Sequence, residues 1–191
     1  MIKEYYFPTI IYIKDLPNAN ELNPYLEKHI IEWSNRDKGV NKTNGWHSQT
    51  NMNHRKEYEP LIRELFQMQN EIIQEEFLDM EPKLGNMWAN INPPGGYNQS
   101  HIHPNSLFSG AYYVKAQPNS GRLSLMDPRP GVQQVMPNRK PGNLPRELWR
   151  ETYYDPVPGR LIMFPSWLWH KVEPNQSNDI RISVSFNFIM I

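Results

Sequence analysis

The segment from Ile180 to Met190 constrains the fold more than any other part of the chain. Ile180, Ile182, Val184, Phe186, Phe188 and Met190 alternate with Arg181, Ser183, Ser185 and Asn187. In a strand, successive side chains point to opposite faces. One face of this strand is therefore wholly apolar, and the other is wholly polar and headed by an arginine. The apolar face predicts a sheet packed against helices. The polar face predicts the inside of a small barrel with a cation near its mouth. Met87 to Asn92 repeats the pattern, with Trp88, Asn90 and Asn92 alternating with Met87, Ala89 and Ile91. Inward polar residues cost stability unless something satisfies them, so their recurrence on two strands points to a ligand site.

The helices that such a sheet requires lie upstream. Leu22, Leu26, Ile30 and Trp33 recur at helical spacing, with Asn23 placed to cap the helix and Pro24 suited to its first turn. A second helix is predicted from about Glu57 to Phe77, with Leu61, Leu65, Met68 and Ile72 on one face. An opening strand is expected within Tyr5 to Ile13. From Met87 onward the period shifts to two, giving candidate strands at Met87–Asn92, Leu107–Lys115, Gly121–Met126, Gly159–Phe164 and Ile180–Met190. The 191 residues suit one domain. Residues 1–86 form its strand and helical layer, and residues 87–191 its core. The expected class is mainly β with flanking helices: a double-stranded β-helix, or jelly roll, of cupin-like form. Pro128 to Val157 is read as a long surface excursion of the kind that covers sites.

Composition narrows the function. Twenty basic and twenty acidic residues cancel without long blocks of either sign, which disfavours nucleic acid and anionic membrane as partners. A small molecule or an amino-acid or peptide substrate fits better. With no cysteine, disulfides, thiolate metal sites and cysteine nucleophiles are excluded. No stretch approaches the length of a membrane span, and the first residues lack a secretory pattern, so a soluble cytoplasmic protein is expected. An exposed sheet edge would suit a homodimer.

The chemistry concentrates at Gly95-Gly96-Tyr97-Asn98-Gln99-Ser100-His101-Ile102-His103-Pro104. In extended backbone, His101 and His103 project to the same side and can share one ion. His170 supplies a third ligand, and Arg181 offers a planar fork for a carboxylate, with Ser183 placed to add a bond. Three protein ligands on one face of a metal leave positions open for small molecules. Gly95-Gly96 follows two prolines and precedes no helix, so it reads as a turn and not as a phosphate loop. His29 and His54 read as solvated. His47, in Trp46-His47-Ser48, can reach the mouth of the site, and Trp167 and Trp169 read as core anchors.

These residues carry a resemblance. Asn90-Ile91-Asn92-Pro93-Pro94-Gly95-Gly96-Tyr97-Asn98, then His101 to Ser106, then Ser109-Gly110-Ala111-Tyr112-Tyr113 resemble the Fe(II)/2-oxoglutarate-dependent dioxygenases, and among them a small subgroup of bacteria and phages. Asp127-Pro128-Arg129, Pro158 to Ser166 and His170 to Asn187 extend the likeness over about Met87 to Met190. The resemblance implies an oxidoreductase that uses Fe(II) and 2-oxoglutarate to oxidise, by hydroxylation above all, an organic substrate with release of succinate and CO2. It implies His101 and His170 at the metal, with Arg181 and Tyr112 or Tyr113 at the cosubstrate; the strand pattern itself adds His103 to the metal set and Ser183 and Asn90 to the cosubstrate set. Relatives carry a carboxylate where this chain has His103. Position 103 stays open: either His103 ligates, or Asp127 or water completes the sphere. The competing class is a cupin-like protein that binds a divalent ion such as zinc or nickel without oxygenase activity, and a third is a jelly roll with a purely structural role.

Overall fold

The computed structural model describes residues 1–40, 45–129 and 137–189. Its elements run β1 (Tyr12–Asp15), α1 (Ala19–Arg36), β2 (Trp46–His47), α2 (Glu59–Glu75), β3 (Lys83–Asn92), β4 (Asn98–His101), β5 (Phe108–Lys115), β6 (Leu123–Met126), β7 (Glu151–Tyr154), β8 (Arg160–Pro165), β9 (His170–Val172) and β10 (Arg181–Ile189). Two antiparallel sheets face each other. The major sheet has the order β1-β8-β5-β10-β3-β2 and the minor sheet β4-β9-β6-β7. This is the jelly roll that the alternating strands predict.

The two faces of β10 go where their chemistry sends them. Ile182, Val184, Phe186 and Phe188 share one buried cluster with Leu22, Leu26 and Ile30 of α1 and Leu61, Leu65, Met68 and Ile72 of α2. Phe188 meets Phe66 edge to face at 5.4 Å. Met190 lies outside the described residues. The opposite face of the major sheet looks into the barrel, where Tyr113, Leu123, Leu125, Ile162, Phe164 and Leu168 make a second, smaller core between the sheets. Gly110, at the centre of β5, stands opposite Phe186 of β10. A Cβ there would lie 2.3 Å from Phe186 Cζ and 2.5 Å from the Ile162 carbonyl, so this crossing needs glycine.

Several local expectations shift. Helix α1 starts at Ala19, not after Asn23, and Pro24 sits inside it. Asn18 takes the cap position and gives its side-chain amide to Glu64 of α2 at 3.1 Å. Tertiary packing of Leu22 thus pulls the helix start ahead of the local capping signal, at the cost of the bond that Pro24 cannot make. The opening strand is shorter than Tyr5 to Ile13 and runs only from Tyr12 to Asp15. The stretch from Pro128 to Val157 is not all excursion, because it contains β7, which pairs with β6 along its whole length. Residues 130–136 of that stretch lie outside the described residues. Among the described residues no helix is long and apolar enough to cross a membrane.

Candidate metal centre

Strand pairing assembles the centre. The turn after β3 is closed by Gly96 N–H on the Pro93 carbonyl at 2.8 Å and Gly95 N–H on the Asn175 carbonyl at 2.7 Å. Gly95 has φ +83°, a left-handed conformation that glycine adopts without strain. That turn feeds β4, whose last residue, His101, pairs with His170 of β9, and His170 pairs in turn with Leu125 of β6. His103 lies two residues past the end of β4 and donates its backbone N–H to Ser166 at 3.0 Å, which ties it to the end of β8. The ring centroids are 4.2 Å apart for His101 and His170, 4.9 Å for His101 and His103, and 5.1 Å for His103 and His170. The candidate ligand nitrogens all lie within 4.8 Å of one another, a span that small ring rotations close around one ion.

The rings are oriented for ligation. His101 Nδ1 is 2.7 Å from the Gln99 carbonyl, and His170 Nδ1 is 2.9 Å from the Leu168 carbonyl. A carbonyl only accepts, so each Nδ1 carries the proton and each Nε2 presents a lone pair. Burial, with a smaller contribution from neighbouring His101, lowers the pKa of His170 to about 3 and that of His103 to about 4. Both rings are neutral at pH 7, the form that binds metals.

Arg181 lies deeper, 1% exposed, at the start of β10. Its Nη1 donates to the Ser120 carbonyl at 2.5 Å and the Gly121 carbonyl at 3.0 Å. No carboxylate pairs with it among the described residues. Its Nε is buried without a partner, as are Ser120 Oγ and Asn92 Oδ1, and Asn92 stands directly opposite Arg181 in the register. Burial pulls the guanidinium pKa down, while Tyr113 nearby opposes that shift. A buried cation with unused donors is costly unless an anion completes it. Gly121 approaches so closely that a Cβ would sit 2.6 Å from Arg181 Nη1.

Of the other candidates, Ser183 and Asn90 face each other on the interior side of β10 and β3. Asn90 Nδ2 donates to Ser185 Oγ at 3.1 Å. Tyr112 is a correction. Strand alternation turns it to the helix side, where its hydroxyl donates to Asn23 at 2.6 Å, and Tyr113 takes the interior position. Burial pushes the Tyr113 phenol up to about 12. Asp127 does not join the histidines: Arg129 Nε and Nη2 donate to its two oxygens at 2.9 and 2.5 Å.

His47 stacks on Trp88 at 5.5 Å, and Trp88 lies 5.8 Å from His103, so the polar segment around Trp46 does reach the wall of the centre. His54 is exposed and His29 half-buried against Tyr25. Trp167 and Trp169 are about half exposed and so are not core anchors, because alternation gives the inward positions to Leu168 and His170. The sequence reading missed Asn86, Ser109 and Ser166: Asn86 and Ser109 bond to Asn187 beside His103, and Ser166 bonds to Ser109. Alternation on β10 marked Asn187 as inward-facing, and no local signal marked the others.

The sequence profile of the "Putative 2OG-Fe(II) oxygenase" family matches residues 86–187, more than half of the chain. The chain belongs to that family. This oxygenase is an oxidoreductase of the class that uses Fe(II) and 2-oxoglutarate. Solved structures resemble it along nearly its whole length. A Pseudomonas putida prolyl-4-hydroxylase superposes with a TM-score of 0.68 at 18% identity, covering 96% of this chain and 94% of that one. A Trichoplax adhaerens prolyl hydroxylase, solved with a hypoxia inducible factor peptide fragment, gives 0.66 at 14% identity, with 94% and 83% covered. HygX from Streptomyces hygroscopicus, solved with nickel and 2-oxoglutarate, gives 0.66 at 8% identity, with 95% and 83% covered. No curated protein sequence matches the oxygenase significantly.

Proposed function

We propose that His101, His103 and His170 hold the iron of this oxygenase, that Arg181 binds the far carboxylate of 2-oxoglutarate, and that the substrate is an amino-acid or peptide side chain hydroxylated at the mouth of the barrel. The observation that carries this reading is Arg181. Among the described residues it is buried, unpaired by acid, and retains an unpartnered Nε inside the barrel whose rim carries three converging imidazoles. A dicarboxylate that reaches from the metal to the guanidinium would satisfy both ends at once. Iron(II) with 2-oxoglutarate supplies the oxidising chemistry, drawing on dioxygen and releasing succinate and CO2.

The chain's own residues bind and orient. Arg181 fixes one end of the cosubstrate, with Ser183 and Tyr113 lining the same interior. Leu125, Phe164 and Leu168 exclude water from the space between the sheets, which strengthens each polar contact there. Trp88 and His47 form the wall on the β3 side of His103, the surface against which a substrate would lie. The peptide bound by the Trichoplax relative and the balanced charge of this chain favour a peptide or small molecule over nucleic acid. Anaerobic titration of 2-oxoglutarate into the iron-loaded protein tests the assignment. Binding that is lost in Arg181→Gln while iron is retained supports it. Equal binding by wild type and Arg181→Gln overturns it, and iron without any 2-oxoglutarate binding would favour a simple metal-binding protein.

A further inference from the structure

A row of hydrogen-bonded polar side chains crosses the inner face of the major sheet beside His103. Asn86 on β3, Asn187 on β10 and Ser109 on β5 stand opposite one another in the strand register, and Ser166 follows directly after β8. Asn187 Nδ2 donates to Asn86 Oδ1 at 2.7 Å, Ser109 Oγ donates to Asn187 Oδ1 at 2.6 Å, and the Ser109 and Ser166 hydroxyls are 2.7 Å apart. Asn187, Ser109 and Ser166 are all buried. Replacing such a row by apolar groups of the same shape can be nearly neutral for stability, which directs attention to what the row touches. It touches the third histidine: Asn187 Nδ2 lies 3.5 Å from His103 Nδ1, and the Ser166 carbonyl holds the His103 backbone.

The three imidazoles are therefore held differently. His101 and His170 face backbone carbonyls, which fix the proton on Nδ1. His103 faces a side-chain amide, and an amide offers a donor at one end and an acceptor at the other. A half-turn of Asn187 exchanges them. The row accommodates both senses, because the hydroxyls of Ser109 and Ser166 reverse their donation and the Asn86 amide turns in step. With Nδ2 donating to the ring across the 3.5 Å contact, Nδ1 is bare and the proton sits on Nε2, the nitrogen left for a metal. With Oδ1 toward the ring, Nδ1 carries the proton and Nε2 is free to ligate.

We propose that Asn187 is the positioning residue that decides whether His103 joins the metal: its reversible amide, held in a four-residue row, sets the tautomer of His103. The inference rests on the metal reading above. It also gives position 103 a property that a carboxylate lacks, a third ligand site that the protein can open or close without moving its backbone.

Two-bond ¹H–¹⁵N NMR of metal-free protein carrying ¹⁵N-histidine reads the tautomers directly. The expected result is Nδ1–H for His101 and His170 and Nε2–H for His103. Asn187→Asp offers only acceptors, so His103 should convert to Nδ1–H and the Kd for nickel(II) should fall about tenfold or more. Asn187→Leu removes the contact that holds the proton on Nε2, so the preference of His103 for Nε2–H should be lost and the Kd for nickel(II) should not rise above that of the wild type. If the leucine variant does not fold, the wild type and Asn187→Asp decide the matter. Nδ1–H on His103 in the wild type, or a tautomer and nickel affinity unchanged in Asn187→Asp, would overturn the proposal. Expected tautomers in a wild type that binds no nickel would instead sink the metal reading, which the NMR result does not touch.

Discussion

Arg181 and Tyr113 carry the most specific consequences at the scale of single residues. Arg181→Lys keeps the charge but loses the planar fork, so 2-oxoglutarate affinity should drop roughly tenfold or more while iron affinity holds, measured by titration of each ligand. Tyr113→Phe should weaken 2-oxoglutarate binding, whereas Tyr112→Phe should leave it intact and cost about 1 kcal/mol of stability through the lost bond to Asn23. The sequence could not separate the two tyrosines until the strand phase was known, because both stand in one apolar run. It did separate Arg181, since a cation in a perfectly alternating strand has one face to occupy. The histidines add a pH dependence. Folding holds His170 and His103 neutral, at about 3 and 4 against an ordinary value near 6.5. Between about pH 6.5 and 4 the unfolded chain therefore binds more protons than the folded one, and stability falls as pH falls through that window. Urea melts of metal-free protein should show lower stability at pH 5 than at pH 7.5, and His170→Asn should shrink the difference.

Strand β10 is the element on which everything else is hung. Its outer face packs on α1 and α2 and its inner face presents Arg181, Ser183 and Asn187. Phe186→Ala should cost about 3–5 kcal/mol, since Phe186 is fully buried in the larger core. Gly110→Ala should cost about 1–3 kcal/mol by forcing that phenyl ring and the Ile162 carbonyl apart. Thermal or urea denaturation reads both. Long periodic elements such as β10 and α2 were legible because many residues repeat one signal. β4 and β9 were not, because each spans four residues or fewer and owes its pairing to partners far away in sequence. The start of α1 was misplaced for a related reason, as Asn23 looks like a cap locally but is claimed by Tyr112 across the core.

The whole molecule is a sandwich in which helices cover one face of the major sheet, while its other face carries polar side chains on β3 and β10 beside a smaller apolar core on β5 and β8. The jelly roll, the three histidines and the buried arginine were all visible in the sequence because alternation fixes which side chains meet inside. The polar row behind His103 was not, since it joins residues on three strands and one just past the end of β8 that only the sheet order brings together. On the proposed reading, the fold joins a metal-binding rim of His101, His103 and His170 to an anion-binding interior at Arg181, and one small molecule bridges them. Release of labelled succinate from labelled 2-oxoglutarate, in air and with iron(II), tests that bridge most directly. Iron-dependent succinate formation by the wild type, abolished in His170→Ala and strongly reduced in Arg181→Gln, is the predicted result; undiminished formation in either variant would contradict it.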